Sequence, residues 1–181
     1  MEPRAATDGH ESQGRSLDLE LETLTVVLEG QIALHQQLLP VLQAEKRLMV
    51  EGEVDEVVPC LNEKERLLHR LREAEGRRRD AVAAWAASAG RASREWTLSE
   101  LIACAPPAYA SRLQSCQARL ESLTAGIIEL NQLNGLVADR LLTRVNGLIG
   151  LLRRLTSAGA IYQPSGALHE TTVSGRSLGR G

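Results

Sequence analysis

The chain has 181 residues and a formal net charge of −2, and it contains no Phe, two Trp and two Tyr. Because aromatic side chains usually supply much of a globular core, leucine must supply it here, which favours helix-on-helix packing over a sheet. The small net charge gives no overall attraction to nucleic acid. The longest apolar run is far shorter than the ~20 residues that span a bilayer. We therefore expect neither a nucleic-acid-binding protein nor a stably inserted membrane protein.

The cysteines and the N-terminal residues bear on the cellular compartment in which the protein is expected to work. Cys60, Cys104 and Cys116 are odd in number and widely spaced, so they form neither a disulfide framework nor a zinc-binding pattern. We expect each to be a small buried apolar residue. Glu2 and Asp8 lie in a stretch without the apolar region of a secretory signal. A cytoplasmic location follows as the expectation.

Two apolar stripes predict an antiparallel helical hairpin. Residues 1–15 show no periodicity, and we expect them to be disordered. The hairpin is predicted over 16–87, with a turn within 50–54 at the permissive Gly52. Steps of three, four or seven residues define the stripes. The first is Leu17, Leu21, Leu24, Leu28, His35, Leu38, Leu42, Met49, and the second is Val54, Val57, Leu61, Lys64, Leu68, Leu71, Glu75, Arg78, Val82, Trp85.

A break and a second helical region follow the hairpin. Residues 88–107 are rich in turn-forming residues, and within them Thr97 and Glu100 match a capping box for a short helix. A long helix is predicted over 108–156, and a flexible Gly-, Ser- and Thr-rich tail over 157–181. The expected fold is therefore all-α: an elongated antiparallel hairpin plus a long C-terminal helix in a coiled-coil-like bundle.

The long helix carries more apolar residues than one packing stripe needs. Its stripe runs Leu113, Cys116, Leu120, Leu123, Ile127, Leu130, Asn134, Val137, Leu141, Arg144, Leu148, Leu151 or Leu152, Leu155. A helix with apolar residues on further faces is either central in a bundle or docks a partner, and both interpretations stay open. The candidate partner-binding residues on this helix are Leu133, Leu136, Leu142, Val145, Ile149 and Leu152. Asn131 and Asn134 among the leucines favour a role in setting helix register.

No pattern indicates catalysis. Glu65, His69 and Glu73 lie at four-residue steps and could hold a metal, but a charge-paired helix face explains them better. The basic run 77–79 favours a solvated face. Phosphate loops and nucleophile motifs are missing from the sequence. We predict a protein that is not an enzyme and that has no cofactor and no metal site.

One aromatic element lies in the predicted tail. Tyr162 precedes Pro164 and Gly166, which bracket a predicted turn. Tyr162 either packs back on the long helix or serves as a short motif for a partner. Both interpretations stay open, and Tyr162 is included among the candidate partner-binding residues.

Several of these residues together resemble the FlgN family of flagellar export chaperones. The likeness rests on Glu45-Lys46 ahead of Gly52, on a second Glu63-Lys64 followed by Leu67-Leu68, on the arginines at 77–79, and on the Tyr-x-Pro-x-Gly element at 162–166. It covers about residues 17–166.

The resemblance implies a cytoplasmic, non-enzymatic chaperone of flagellar type III secretion. Such a chaperone binds the C-terminal helical segment of hook–filament junction proteins and delivers them to the export gate. The alternative is a structural coiled-coil adaptor that forms a homodimer through residues 113–155. A metal-binding bundle enzyme is the weaker third interpretation.

Overall fold

The computed structural model of the chain describes residues 5–157 apart from 92, 93 and 95, with side chains described from residue 14 to residue 156. Of the described residues, 93% are helical and none is in a strand. This confirms the all-α class. The helices are α1 (Ala5–Glu51), α2 (Val54–Ser88), α3 (Leu98–Cys104) and α4 (Pro107–Ser157).

The turn between α1 and α2 lies where the sequence predicts it. Gly52 has a φ of 78°, a left-handed conformation that L side chains rarely adopt. The backbone N–H groups of Gly52 and Glu53 both donate to the carbonyl of Leu48, at 2.9 and 3.0 Å. These bonds satisfy the end of α1 and reverse the chain. The prediction of a turn within 50–54 is confirmed.

Cross-helix contacts show that α1 and α2 are antiparallel. Near the turn, the Cys60 thiol on α2 donates to the Val41 carbonyl at 3.5 Å. Farther from the turn, Gln31 Nε2 on α1 donates to the Glu75 carboxylate on α2 at 3.2 Å. Residues later in α2 therefore contact residues earlier in α1, which is the pattern of an antiparallel pair.

The core of the hairpin end distant from the turn is built by all four helices. It includes Leu21, Leu24 and Leu28 of α1, Val82 and Trp85 of α2, Leu101 of α3, and Leu113 and Cys116 of α4. The capping box of α3 is present: Thr97 Oγ1 accepts from the Glu100 N–H at 3.2 Å, and Glu100 accepts from the Thr97 N–H at 2.9 Å. The cap fixes the start of this short helix, whose Leu101 and Ile102 are buried.

The two tryptophans meet at this end of the hairpin. Trp85 and Trp96 pack edge to face, with ring centroids 5.7 Å apart. The Arg91 guanidinium lies 5.3 Å from the centroid of Trp85 and 5.1 Å from that of Trp96. The chain that links α2 to α3 is thereby attached to the core.

A second apolar cluster lies nearer the turn. It joins Leu34, Leu38 and Leu42 of α1 to Leu67 and Ala74 of α2 and to Ile127 of α4. Three helices thus share one leucine-rich seam, as the stripes predict.

Three expectations from the sequence are wrong. The helix α1 begins at Ala5 rather than near residue 16, so the predicted disorder of 1–15 fails over the described residues 5–15. Val54 and Leu61, at the start of the second stripe, are exposed, and neither belongs to the two apolar clusters. Of the three cysteines expected to be buried, Cys104 is exposed at the end of α3 and Cys60 is only half-buried.

The chain divides into two units between Val137 and Ala138, and α4 contributes to both. The first contains the clusters described above. We call residues 138–157, the described part of the second, the distal segment. No helix in the described part of the chain has both the length and the apolar character needed to cross a membrane.

Candidate partner-binding surface

Asn134 fixes α4 against the hairpin within the first unit. Its side chain is 3% exposed, and Nδ2 donates to the Leu42 carbonyl at 2.9 Å and to the Glu45 carboxylate at 2.8 Å. Lys64 Nζ of α2 donates to the same carboxylate at 2.8 and 3.0 Å. One polar network therefore joins three helices. It is consistent with the register role predicted for Asn134, whereas Asn131 is exposed.

A second network lies farther along the hairpin. Arg78 donates to both Glu75 oxygens at 2.8 and 2.7 Å, and Gln31 of α1 donates to Glu75 as well. The hydrogen bonds from Arg78 are the main cause that lowers the pKa of Glu75 to about 2, although burial opposes them. The sequence predicts a solvated face for the whole run 77–79. Arg78 departs from this because its side chain is only 23% exposed.

The distal segment exposes an apolar face. No side chain between residues 138 and 156 is buried, and only Ala138, Leu141 and Gly150 are even partly buried. The large apolar side chains are 42% to 63% exposed. They are Leu142, Val145, Leu148, Ile149, Leu151, Leu152 and Leu155. At about 100° per residue they cover roughly half of the helix circumference.

The predicted site residues fall into three groups. Leu142, Val145, Ile149 and Leu152 are exposed on the distal segment. Leu133 and Leu136 are exposed on α4 in the first unit, at 37% and 56%. Tyr162 lies outside the described residues.

The predicted site residues cover only part of the apolar face. Leu148, Leu151 and Leu155 belong to the stripe that was expected to pack inside the chain, yet they are exposed. Arg144 in that stripe is the sequence signal for this exposure. An arginine is rarely buried without a partner, so its presence at a seam position favours a solvent-exposed helix. The face is therefore wider than the predicted set.

The hairpin's candidate metal triad is a charged surface. His69 Nδ1 lies 3.5 Å from Glu73, and both side chains are more than half exposed. Glu63 and Arg66, one turn earlier, form a bidentate pair at 2.8 and 2.6 Å. Within the described residues, no three acidic, His or Cys side chains are grouped to hold a metal ion.

A groove of about 1070 Å³ runs along the first unit between α1, α2, the link before α3, and α4. Its lining includes Leu28 and Val82. Arginines and carboxylates both line it, among them Arg79, Asp80 and Glu121. Because both signs of charge line this groove, electrostatics favour no particular class of ligand there.

Fold and surface define an all-α helical-hairpin protein with an apolar face exposed on the last part of its C-terminal helix. The family model described as FlgN protein matches residues 20–170. The chain therefore belongs to the FlgN family of flagellar export chaperones, which is not a known enzyme family. Its process is flagellum biogenesis. No curated protein and no solved structure gave a significant match.

Proposed function

We propose that the protein is a cytoplasmic chaperone that holds hook–filament junction proteins by their C-terminal helical segment and delivers them to the type III export gate. Membership of the FlgN family supports the general role of flagellar export chaperone and the binding of flagellar proteins. The choice of junction proteins as partners, and of the export gate as the destination, rests on the resemblance of the sequence motifs to those of the FlgN family.

The apolar face of the distal segment carries the proposal for where the partner binds. Leu142, Val145, Ile149 and Leu152 follow one another in steps of three and four, which suits the docking of an amphipathic helix. Burying one such side chain contributes about 1.5–3 kcal/mol. A partner segment that folds as it docks offsets part of this gain, and the complex remains releasable.

The first experiment identifies the partner. The full chain is purified from its native cytoplasm, and the co-purifying protein is identified. Recovery of a junction protein is the expected result. Recovery of a different flagellar protein would replace the proposed partner while leaving the family role intact.

The second experiment tests the site with two matched variants. L142Q/I149Q removes two exposed aliphatic side chains from the distal segment. L19Q/V26Q is the matched control and removes two exposed aliphatic side chains from α1. We expect the first to weaken binding of the partner's C-terminal fragment by about a hundredfold or more, and the second to have little effect. Unchanged affinity of L142Q/I149Q refutes the docking face, and a large loss of thermal stability assigns both residues to a core.

Leu133 and Leu136 are proposed as partner contacts in their own right, since both are exposed apolar residues of the first unit. The variant L133Q/L136Q tests them separately from the distal segment. Weaker binding with unchanged stability is expected.

Tyr162 is proposed to contact the export gate. A tyrosine offers a large apolar ring and one hydroxyl at low entropic cost, which suits a short docking motif. We expect Y162A to impair export and motility while partner binding and thermal stability stay near those of the wild type. Unchanged motility, or unfolding at a markedly lower temperature, contradicts this role.

Self-association is the second candidate function, and the packing restricts it. Leu113, Cys116 and Ile127 are already buried inside the chain, so a homodimer through all of 113–155 would have to displace the hairpin. Only the exposed residues are available to a second copy. Sedimentation of the purified chain separates the functions: a stable dimer without added partner favours the adaptor.

A further inference from the structure

The distal segment is strongly basic in a chain that is slightly acidic overall. It contains Arg140, Arg144, Arg153 and Arg154 against the single acid Asp139, which leaves a net charge of +3. The whole chain has a net charge of −2. The apolar face therefore lies in a local positive potential that the average composition conceals.

The arginines of the distal segment differ in their pairing from three of the six arginines of α2. On α2, Arg66 pairs with Glu63, and Arg78 and Arg79 pair with Glu75. Within the described part of the chain, no ion pair involves an arginine of the distal segment. Arg140 and Arg144, four residues apart, are like charges that repel each other on one helix face.

Three of these four cations flank the apolar face, and Arg154 lies on the opposite side of the helix. At about 100° per residue, Arg140 and Arg144 lie along one edge beside Leu151, and Arg153 lies along the other edge beside Leu142. A helix docked on the face would place its own flanking residues opposite these edges, as in a coiled coil. Acidic residues there would relieve the repulsion and pair with both edges.

We propose that the partner helix carries acidic residues on both flanks of its apolar stripe, and that this charge pattern selects it among amphipathic helices. The inference rests on the proposed docking face and specifies the chemistry of its partner. A second copy of this chain fits poorly, because +3 would meet +3 across the interface. The distal segment has no aromatic residue to anchor it at a membrane interface, and an anionic membrane surface is the competing occupant that the test below decides.

The test uses the full chain and two synthetic peptides of about 20 residues with the same leucine stripe. One has Glu at the flanking positions, and the other has Lys. We expect the Glu peptide to bind about tenfold or more tightly at low salt, and this preference to shrink as salt rises from about 0.05 M to about 0.5 M. The variant R140Q/R144Q/R153Q/R154Q should lose the preference.

A matched control makes the same change in net charge, four positive charges fewer, on α2 and not on the distal segment. R66Q/R70Q/R72Q/R77Q removes four exposed arginines from α2 and should retain the preference for the Glu peptide. If the control loses the preference as well, the effect belongs to the overall charge, and the inference is overturned.

The remaining outcomes separate this inference from the proposed function. Equal binding of both peptides, abolished by L142Q/I149Q, overturns the charge inference and leaves the docking face standing. Binding that L142Q/I149Q does not weaken overturns the docking face itself. Arginine-dependent sedimentation with vesicles of about one-third phosphatidylserine, without a preference between the peptides, would assign the basic edges to a membrane and overturn the inference.

Discussion

Asn134 and Glu45 form a buried hydrogen bond of 2.8 Å between helices α4 and α1, although 89 residues separate them in the chain. Lys64 of α2 bonds to the same carboxylate, which neutralises the charge that Glu45 brings into the interior. The Asn134 amide has only one sensible orientation, because both Leu42 and Glu45 present acceptors to it. The bond therefore defines one axial position of α4 on the hairpin.

The first prediction concerns this bond. N134A should lower the free energy of unfolding by about 1–3 kcal/mol, because it leaves Glu45 short of a buried donor. N134D has nearly the same shape but places a second carboxylate against the first, so it should be more destabilising than N134A near neutral pH. Urea denaturation followed by circular dichroism measures both. Equal stability of N134D and wild type at neutral pH would contradict the assigned network.

The second prediction is a pH dependence from Glu75. Its pKa of about 2 lies below the ordinary value of 4.5, so its stabilising contribution is complete above pH 4.5 and is lost as the pH falls toward 2. Because the side chain is 37% exposed, solvent screening reduces the contribution to about 1 kcal/mol. E75Q should therefore be less stable than wild type at neutral pH, and the two should converge near pH 2. A difference that stays constant with pH rules out this account.

The third prediction concerns glycines of the distal segment. A methyl group added at Gly147 or Gly150 would meet no other atom within 4 Å. Each Gly→Ala substitution should stabilise the helix by about 1 kcal/mol and slow amide exchange in residues 138–157 by about fivefold. Hydrogen exchange followed by mass spectrometry measures this. The control G76A, on the exposed side of α2, should leave exchange in that segment unchanged.

The fourth prediction concerns the three thiols. Burial raises the pKa of Cys60 and of Cys116, which disfavours the reactive thiolate, whereas Cys104 is exposed. Labelling with a disulfide reagent should show one fast thiol in the folded protein. C104S should abolish the fast phase, and its persistence would mean that another cysteine is accessible.

Local signals made part of this fold predictable. The interruption between the two apolar stripes, together with one glycine, predicts the turn at Gly52. The capping box of Thr97 and Glu100 predicts the start of α3. Both signals act over a few residues. Residues 5–15 contain glycines and no apolar stripe, so periodicity does not predict the start of α1 at Ala5.

Long-range pairing was not predictable in the same way. Lys64 and Glu75 stood in the apolar stripe as isolated charges, and their partners Glu45 and Gln31 follow only from the register of α1 on α2. Likewise, the leucine pattern of α4 is the same where the hairpin covers it and where its side chains are exposed. The exposure of Leu148 and Leu155 is therefore visible only in the structure.

The contact between Trp85 and Trp96 has a spectroscopic consequence. These are the two tryptophans of the chain, and both pack in the core cluster of the first unit, with Arg91 against both rings. Intrinsic emission therefore reports on the hairpin core. A tryptophan introduced at Val145, in a variant with Trp85 and Trp96 replaced by Phe, would give the apolar face its own optical signal and convert partner docking into a direct fluorescence titration.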